Sequence, residues 1–246
     1  MRNRSALLLL ALLFAVTASA VDSKRFVDNW LFTLGDSAKM SLNDYNDCSW
    51  RKLTLPHDWS IEGDFLATNP SGASGGALPG GIGWYRKHFD INDYSKSKRY
   101  YLDFDGVYMN STVYVNGNEL GTRPYGYSSF RYDITQYVKK SGNVVAVRVD
   151  NSDQPNSRWY SGCGIYRNVY LVETENIHVA HWGSFVTASQ NGDMNLDISI
   201  DNKTNSKDKI TVRNSIVDFH GRVVAVSSSV SLANGNAITV NKQHVS

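Results

Sequence analysis

A two-residue period runs through most of this sequence and sets what it can fold into. Tyr100, Leu102 and Phe104 alternate with Asp103 and Asp105, Val113 and Val115 alternate with Thr112, Tyr114 and Asn116, and Val145, Val147 and Val149 repeat the pattern, as do Ile165, Arg167, Val169 and Leu171. Successive side chains of a strand point to opposite faces, so each stretch reads as a half-buried strand. Helical periodicity is almost absent after the first twenty residues. Asn116-Gly117, directly after Val113-Tyr114-Val115, signals a two-residue hairpin, because both central residues of that turn need positive φ. Gly-, Asn- and Ser-containing turns separate the runs, and many short strands divided by such turns indicate an all-β sandwich.

The pattern divides the chain. The glycine-rich stretch from Asn69 to Gly81 cannot form a regular element, and loops of this length are usually functional or disordered. It lacks the strand–turn–helix setting and the Lys of a phosphate loop, and is expected to be a flexible rim. After Thr174 the aromatics thin out, and Met194, Leu196, Ile198 and Ile200 alternate strictly with Asn195, Asp197, Ser199 and Asp201. Asp218-Phe219-His220-Gly221, between runs at 210–217 and 222–226, reads as a further hairpin. A second all-β domain is therefore expected to start near residue 175. With about four strands it falls short of the seven strands and ~100 residues of a full sandwich.

The N-terminus has Arg2 and Arg4, an apolar run from Ala6 to Val16, and Ala18-Ser19-Ala20, the pattern of a secretory signal cleaved before Val21. The apolar run is shorter than the ~20 residues that span a bilayer, which argues against an anchor. Formal net charge is +2 with the basic residues scattered, so a nucleic-acid partner is not expected. Cys48 and Cys163 could pair in an oxidising compartment, but two distant thiols make no disulfide framework, and two buried thiols are the simpler expectation. No metal set is expected either, since His178 and His181 are three apart in a strand-like run and face opposite sides.

Three segments are more specific than generic sandwich sequence: Leu53-Thr54-Leu55-Pro56-His57-Asp58-Trp59, Leu78-Pro79-Gly80-Gly81-Ile82-Gly83-Trp84-Tyr85-Arg86-Lys87, and Ser157-Arg158-Trp159-Tyr160-Ser161-Gly162-Cys163-Gly164-Ile165-Tyr166-Arg167-Asn168-Val169. In these residues the chain resembles the N-terminal half of glycoside hydrolase family 2 enzymes, most closely exported β-galactosidases of Bacteroides-like bacteria. The resemblance implies a jelly-roll (galactose-binding-like) β-sandwich over residues 21–174 and an immunoglobulin-like β-sandwich, incomplete, over 175–246. The family's catalytic (β/α)8 barrel is absent from this chain. It implies hydrolysis of β-galactosides by a retaining mechanism, with no cofactor, in which the barrel of the same polypeptide supplies both catalytic carboxylates. β-Glucuronides, β-mannosides, or a stand-alone carbohydrate-binding module are the alternatives.

Beyond the signal the chain has four glutamates, Glu62, Glu119, Glu173 and Glu175, and no catalytic pair is evident among them. Asn118-Glu119 imitates the family's acid/base dipeptide but sits just past a hairpin turn. Sugar contacts are instead implied at Asp58, Arg158 and Trp159. Asp58 beside Trp59 suits a sugar, whose hydroxyls need polar partners and whose C–H face needs an apolar one; equally, it could brace its loop while Trp59 fills the core. Arg158 stands where family members often carry a sugar-binding Asp, six residues before the Gly of the G-I-x-R motif. A guanidinium only donates, so it would suit hydroxyl oxygens or an acidic substituent; a structural salt bridge is the other reading. Trp159 and Tyr160 could stack on sugar or pack on the barrel. Gly162 and Gly164 permit a tight turn before an Ile165–Leu171 strand, and Arg167 is expected to pair with an acid.

Overall fold

A computed structural model of the protein describes residues 21–245. The expected export signal lies outside the described residues. In chain order the strands are β1 (Asp22–Arg25), β2 (Trp30–Leu34), β3 (Arg51–Leu53), β4 (Gly81–Phe89), β5 (Lys98–Phe104), β6 (Ser111–Val115), β7 (Asn118–Arg123), β8 (Phe130–Asp133), β9 (Asn143–Asn151), β10 (Val169–Glu175), β11 (Ile177–Ala188), β12 (Met194–Asn202), β13 (Asp208–Val217), β14 (Val223–Ala233) and β15 (Ala237–Val245). The chain is all-β, as its period demands, and every strand pairing is antiparallel.

A six-stranded sheet, β3-β2-β4-β9-β6-β7, faces a four-stranded sheet, β1-β10-β5-β8. The residues picked out by alternation fill the space between: Val113, Val115, Val145, Val147 and Val149 from one side, Tyr100, Leu102, Phe104, Val169 and Leu171 from the other. The β6–β7 hairpin turns on Asn116 (φ 51°) and Gly117 (φ 78°), with Val115 opposite Asn118. β10 pairs with β5 as far as Glu175, so the chain leaves this sandwich at Asn176.

The outer face of the six-stranded sheet hides a charge. Arg86 on β4 is fully buried; its Nε donates to Asp47 Oδ2 at 2.7 Å and its Nη1 to the carbonyls of Met40 and Leu42 at 2.6 and 2.9 Å. His88 Nε2 lies 2.8 Å from the same Asp47 oxygen. Asp47 sits in a loop between β2 and β3 that nothing in the alternation marks, and this ion pair fastens it across β4.

Beyond Asn176, β11-β12-β15 form a three-stranded sheet and β13-β14 a two-stranded one, with Leu196, Ile198, Ile200, Val212 and Ala233 between them. Five strands are present where about four were expected. β14 turns Ser227, Ser229 and Ser231 inward and its valines outward: Ser229 Oγ donates to Asn241 Oδ1 at 3.0 Å, Asn241 Nδ2 to Ser231 Oγ at 2.6 Å, and Gln243 Nε2 to Val212 O at 2.8 Å. Val226, Val230 and Leu232 are exposed.

Removing one partner of a buried pair leaves the other charge unpaired. Asp47→Ala is expected to cost about 3–5 kcal/mol in chemical denaturation, whereas Lys242→Ala, which breaks an exposed pair with Asp197 at 3.6 Å, is expected to cost under about 0.5 kcal/mol.

Candidate functional site

The three specific segments converge at one edge of the sandwich. The first and third pair like strands although they are about a hundred residues apart: His57 N donates to Ile165 O at 2.9 Å and Trp59 N to Cys163 O at 3.1 Å. The second closes over them, with Gly80 O accepting from the Trp59 indole at 3.1 Å and Pro79 O accepting from the Ser60 hydroxyl. Trp59 itself is buried and stacked on Phe32.

Asp58 lies at the centre of this assembly. Its Oδ1 accepts from Ser60 N at 3.0 Å and Cys163 N at 2.8 Å, and its Oδ2 accepts from the Tyr160 hydroxyl. The carboxylate therefore latches its own loop to the Arg158–Cys163 segment, the bracing role open to it from sequence. Burial and the facing Asp58 carboxylate push the Tyr160 hydroxyl far above its ordinary range, so it stays a donor. The close approach explains two glycines. Gly162 (φ 77°) stands where a Cβ would lie 2.7 Å from Asp58 Oδ2, and Gly164 (φ 124°) where a Cβ would meet the Tyr85 hydroxyl and lie 2.7 Å from His57 O. Both backbone shape and space thus exclude other residues.

This pairing also changes the expected strand. Gly164 bridges to Tyr108, and the carbonyls of Cys163 and Ile165 are taken by the Asp58 loop, so β10 begins only at Val169. The glycine-rich stretch is likewise not a loose rim. Residues Ala73–Gly75 form a single 3-10 turn, Ser71 Oγ donates to Leu78 O at 2.7 Å, and Asn69 Nδ2 donates to Ala77 O at 2.7 Å and Asp64 O at 2.9 Å.

Arg158 and Trp159 ride on the latched segment and face water. Arg158 is exposed, and the ion pairs among the described residues do not include it. Trp159 is 59% exposed, its indole N–H donating to the Tyr127 hydroxyl at 2.9 Å. Arg167, expected to pair with an acid, is also exposed and outside those ion pairs. Cys48 is exposed and Cys163 buried, both free, which corrects the expectation of two buried thiols. Cys163 Sγ lies 2.9 Å from Ser60 Oγ and accepts from Asn151 Nδ2 at 3.0 Å, and burial raises its pKa, so it is a packed neutral thiol.

His57, which alternation did not single out, is a further titratable group in the assembly, and the one whose ordinary pKa lies near neutrality. Arg51 Nη2 donates to its Nε2 at 2.7 Å, which assigns the proton to Nδ1, 2.7 Å from the Tyr85 hydroxyl. Arg51 also binds Glu62 at 2.7 Å, and Glu62 Oε1 lies 3.2 Å from His57 Nε2. Burial outweighs the Glu62 carboxylate and lowers the imidazole pKa.

The remaining glutamates have other settings: Glu119 is exposed on β7, Glu173 is buried between Lys24 and Lys98, and Glu175 is exposed. Among the described residues there is no group of three or more His, Cys, Asp and Glu that could hold a metal ion, and no helix long and apolar enough to cross a membrane. A shallow groove of about 430 Å³ runs along Leu34–Asp36, Gly80–Ile82 and Ser152. Its carboxylate, Asp36, is engaged by Arg148 at 2.9 and 2.8 Å and by the Trp84 indole at 3.0 Å.

Residues 75–175 match the glycosyl hydrolases family 2 sugar binding domain. The chain is 50% identical over 224 residues to the beta-galactosidase BoGH2A of Bacteroides ovatus, covering 87% of this chain and 26% of that protein. It is 35% identical over 131 residues to a beta-glucuronidase of Bacteroides fragilis, covering 51% of this chain and 18% of that protein. A solved glycosyl hydrolase family 2 member from Bacteroides cellulosilyticus superposes with a TM-score of 0.86 at 35% identity, over 90% of this chain and 30% of that one. The chain belongs to glycoside hydrolase family 2 and corresponds to the N-terminal part of such an enzyme. It spans roughly a quarter of the length of its Bacteroides ovatus relative.

The lowered His57 pKa has a sign. The folded state disfavours the charged imidazole and the unfolded chain takes up its proton more readily, so the contribution of His57 to stability is present above its ordinary pKa of 6.5 and is lost as pH falls through it toward the folded value. Thermal unfolding of His57→Gln is expected to show a shallower loss of Tm than the parent between about pH 7 and pH 5.

Proposed function

We propose that this chain is the N-terminal region of an exported retaining glycosidase acting on β-galactosides, and that it contributes one wall of the sugar pocket while the nucleophile and acid/base carboxyls are supplied by a barrel domain outside it. The observation that carries the galactoside reading is the 50% identity to the Bacteroides ovatus beta-galactosidase, which extends over 87% of this chain. Export is supported by Arg2, Arg4, the apolar run and Ala18-Ser19-Ala20.

The wall itself is the latched segment. With Asp58 occupied by internal donors, the group available to a substrate is the Arg158 guanidinium, which donates to hydroxyl oxygens or, more strongly, to a carboxylate. We propose Arg158 and Trp159 as sugar-contacting residues and Asp58 as the residue that positions them. Domain limits at 20 and 174 and the jelly-roll and immunoglobulin-like character of the two units belong to the same proposal. They are supported by the change of sheet at Asn176 and by the two separate cores.

A β-glucuronide substrate is the second reading. It is favoured by the identity to a beta-glucuronidase and by the free guanidinium at 158. Specificity of this kind comes from polar groups left unpaired by the wrong sugar.

The test assays the 246-residue chain and a polypeptide extended through the barrel on chromogenic β-galactoside and β-glucuronide. The expected result is no turnover by the shorter chain and preferential β-galactosidase activity in the longer one, with Arg158→Ala raising KM about tenfold and leaving kcat within about twofold. Turnover by the shorter chain comparable to the longer would overturn the proposal, and preferential glucuronide turnover would replace the substrate.

A further inference from the structure

Three exposed aromatic rings stand together where the latched segment meets the loop between β7 and β8. Tyr125 and Tyr127 lie on the loop between β7 and β8, and Trp159 lies on the loop between β9 and β10. The Trp159 indole N–H donates to the Tyr127 hydroxyl, and the Tyr127 ring is edge-on to Tyr125, with centroids 5.7 Å apart, and to Tyr108, 5.2 Å away. Yet Tyr125 is 63% exposed and Trp159 59%.

The backbone that carries these rings is fixed in place. Gly126, between the two tyrosines, is buried flat against Tyr108, where any Cβ would run into the Tyr108 ring, and its carbonyl accepts from the Tyr166 hydroxyl at 2.8 Å. On the other loop, Ser157 Oγ donates to Trp159 O at 2.6 Å, and Asp58 holds the residues that follow. An aromatic side chain held rigidly with its face in water gains little for folding, but it offers a ligand large contact at low conformational cost.

We propose that Tyr125, Tyr127 and Trp159 form a stacking shelf for a β-linked oligosaccharide, and that it binds sugar units beyond the one held at Arg158. Pyranose rings carry an apolar C–H face that packs on aromatic faces, while the hydroxyls around their rims match the Tyr127 oxygen, the indole N–H and the guanidinium beside them. The small net charge of the chain does not suit a polyphosphate. All three residues fall within the match to a sugar binding domain. The Tyr125 and Tyr127 rings stand at 64° to each other and the Trp159 indole meets Tyr127 through its N–H, so the three faces are presented to successive sugar units instead of one pyranose, and the occupant is an oligosaccharide. The shelf rests on the reading that this edge faces carbohydrate, but not on which sugar is cleaved.

The experiment is calorimetric titration of the 246-residue chain with galactose, β-1,4-galactotetraose, cellotetraose and a β-1,4-mannuronate tetrasaccharide, with sedimentation of the free chain alongside. At least one tetrasaccharide is expected to bind, about tenfold or more tighter than galactose. Tyr125→Ala and Trp159→Ala are each expected to weaken it about three- to tenfold, and Tyr125→Phe, which keeps the ring, to hold it within about twofold. Trp182→Ala, at an exposed tryptophan on β11, is expected to leave it unchanged. If only cellotetraose or the mannuronate binds through the shelf, the shelf stands, and the sugar cleaved is decided by the turnover assay alone. The proposal is overturned if no tetrasaccharide binds, if binding is indifferent to Tyr125→Ala and Trp159→Ala in folded variants, or if the chain is a dimer that Trp159→Ala dissociates.

Discussion

A single carboxylate organises the edge at which the three motif segments meet. Asp58 accepts from two backbone N–H groups, one in its own loop and one 105 residues away, and from the Tyr160 hydroxyl. Charge-assisted hydrogen bonds of this kind are roughly twice as strong as neutral ones, and here they tie loops that belong to different strand connections. The rest of the edge follows. Gly162 and Gly164 are glycines because the loop comes so close, β10 starts late because the preceding carbonyls are already taken, and Trp159 stands exposed beside a Tyr160 whose hydroxyl is tied to Asp58.

The same economy of polar groups recurs elsewhere. Arg86 is fully buried, and its charge is met by Asp47 and two loop carbonyls, which holds a long loop against the outer face of the six-stranded sheet. In the unit after Asn176 the interior is partly polar, and Ser229, Ser231, Asn241 and Gln243 hydrogen-bond to one another, with Gln243 Oε1 left without a partner among the described residues, where a sandwich of this kind would ordinarily place aliphatic side chains.

Much of this was legible in the sequence. Alternation located the strands because the period of two is a covalent property of extended chain, and Asn116-Gly117 located a hairpin because few dipeptides accept two positive φ values. The motifs picked out three segments, and the structure joins all three. What alternation does not encode is which face is buried. β14 reads as a strand either way, and only β15 of the other sheet, with Asn241 bonded to Ser229 and Ser231, turns those serines inward. Partners distant in sequence were invisible for the same reason. Nothing near Arg86 points to Asp47, and nothing near Asp58 points to the Cys163 amide, so Asp58 is latched inward while Arg158 and Trp159 are left to solvent. Tyr125 and Tyr127 left only a faint signal, an aromatic pair around a glycine in a loop.

The central claim is that Asp58 holds the Arg158–Cys163 segment in its presenting conformation. Amide hydrogen exchange of the parent chain and of Asp58→Asn tests it most directly. The account predicts a protected Cys163 amide in the parent and faster exchange confined to Ser60 and residues 158–164 in the variant, with β5 and β9 unchanged. Equal exchange at Cys163 in the two proteins, in a variant that remains folded, would contradict it.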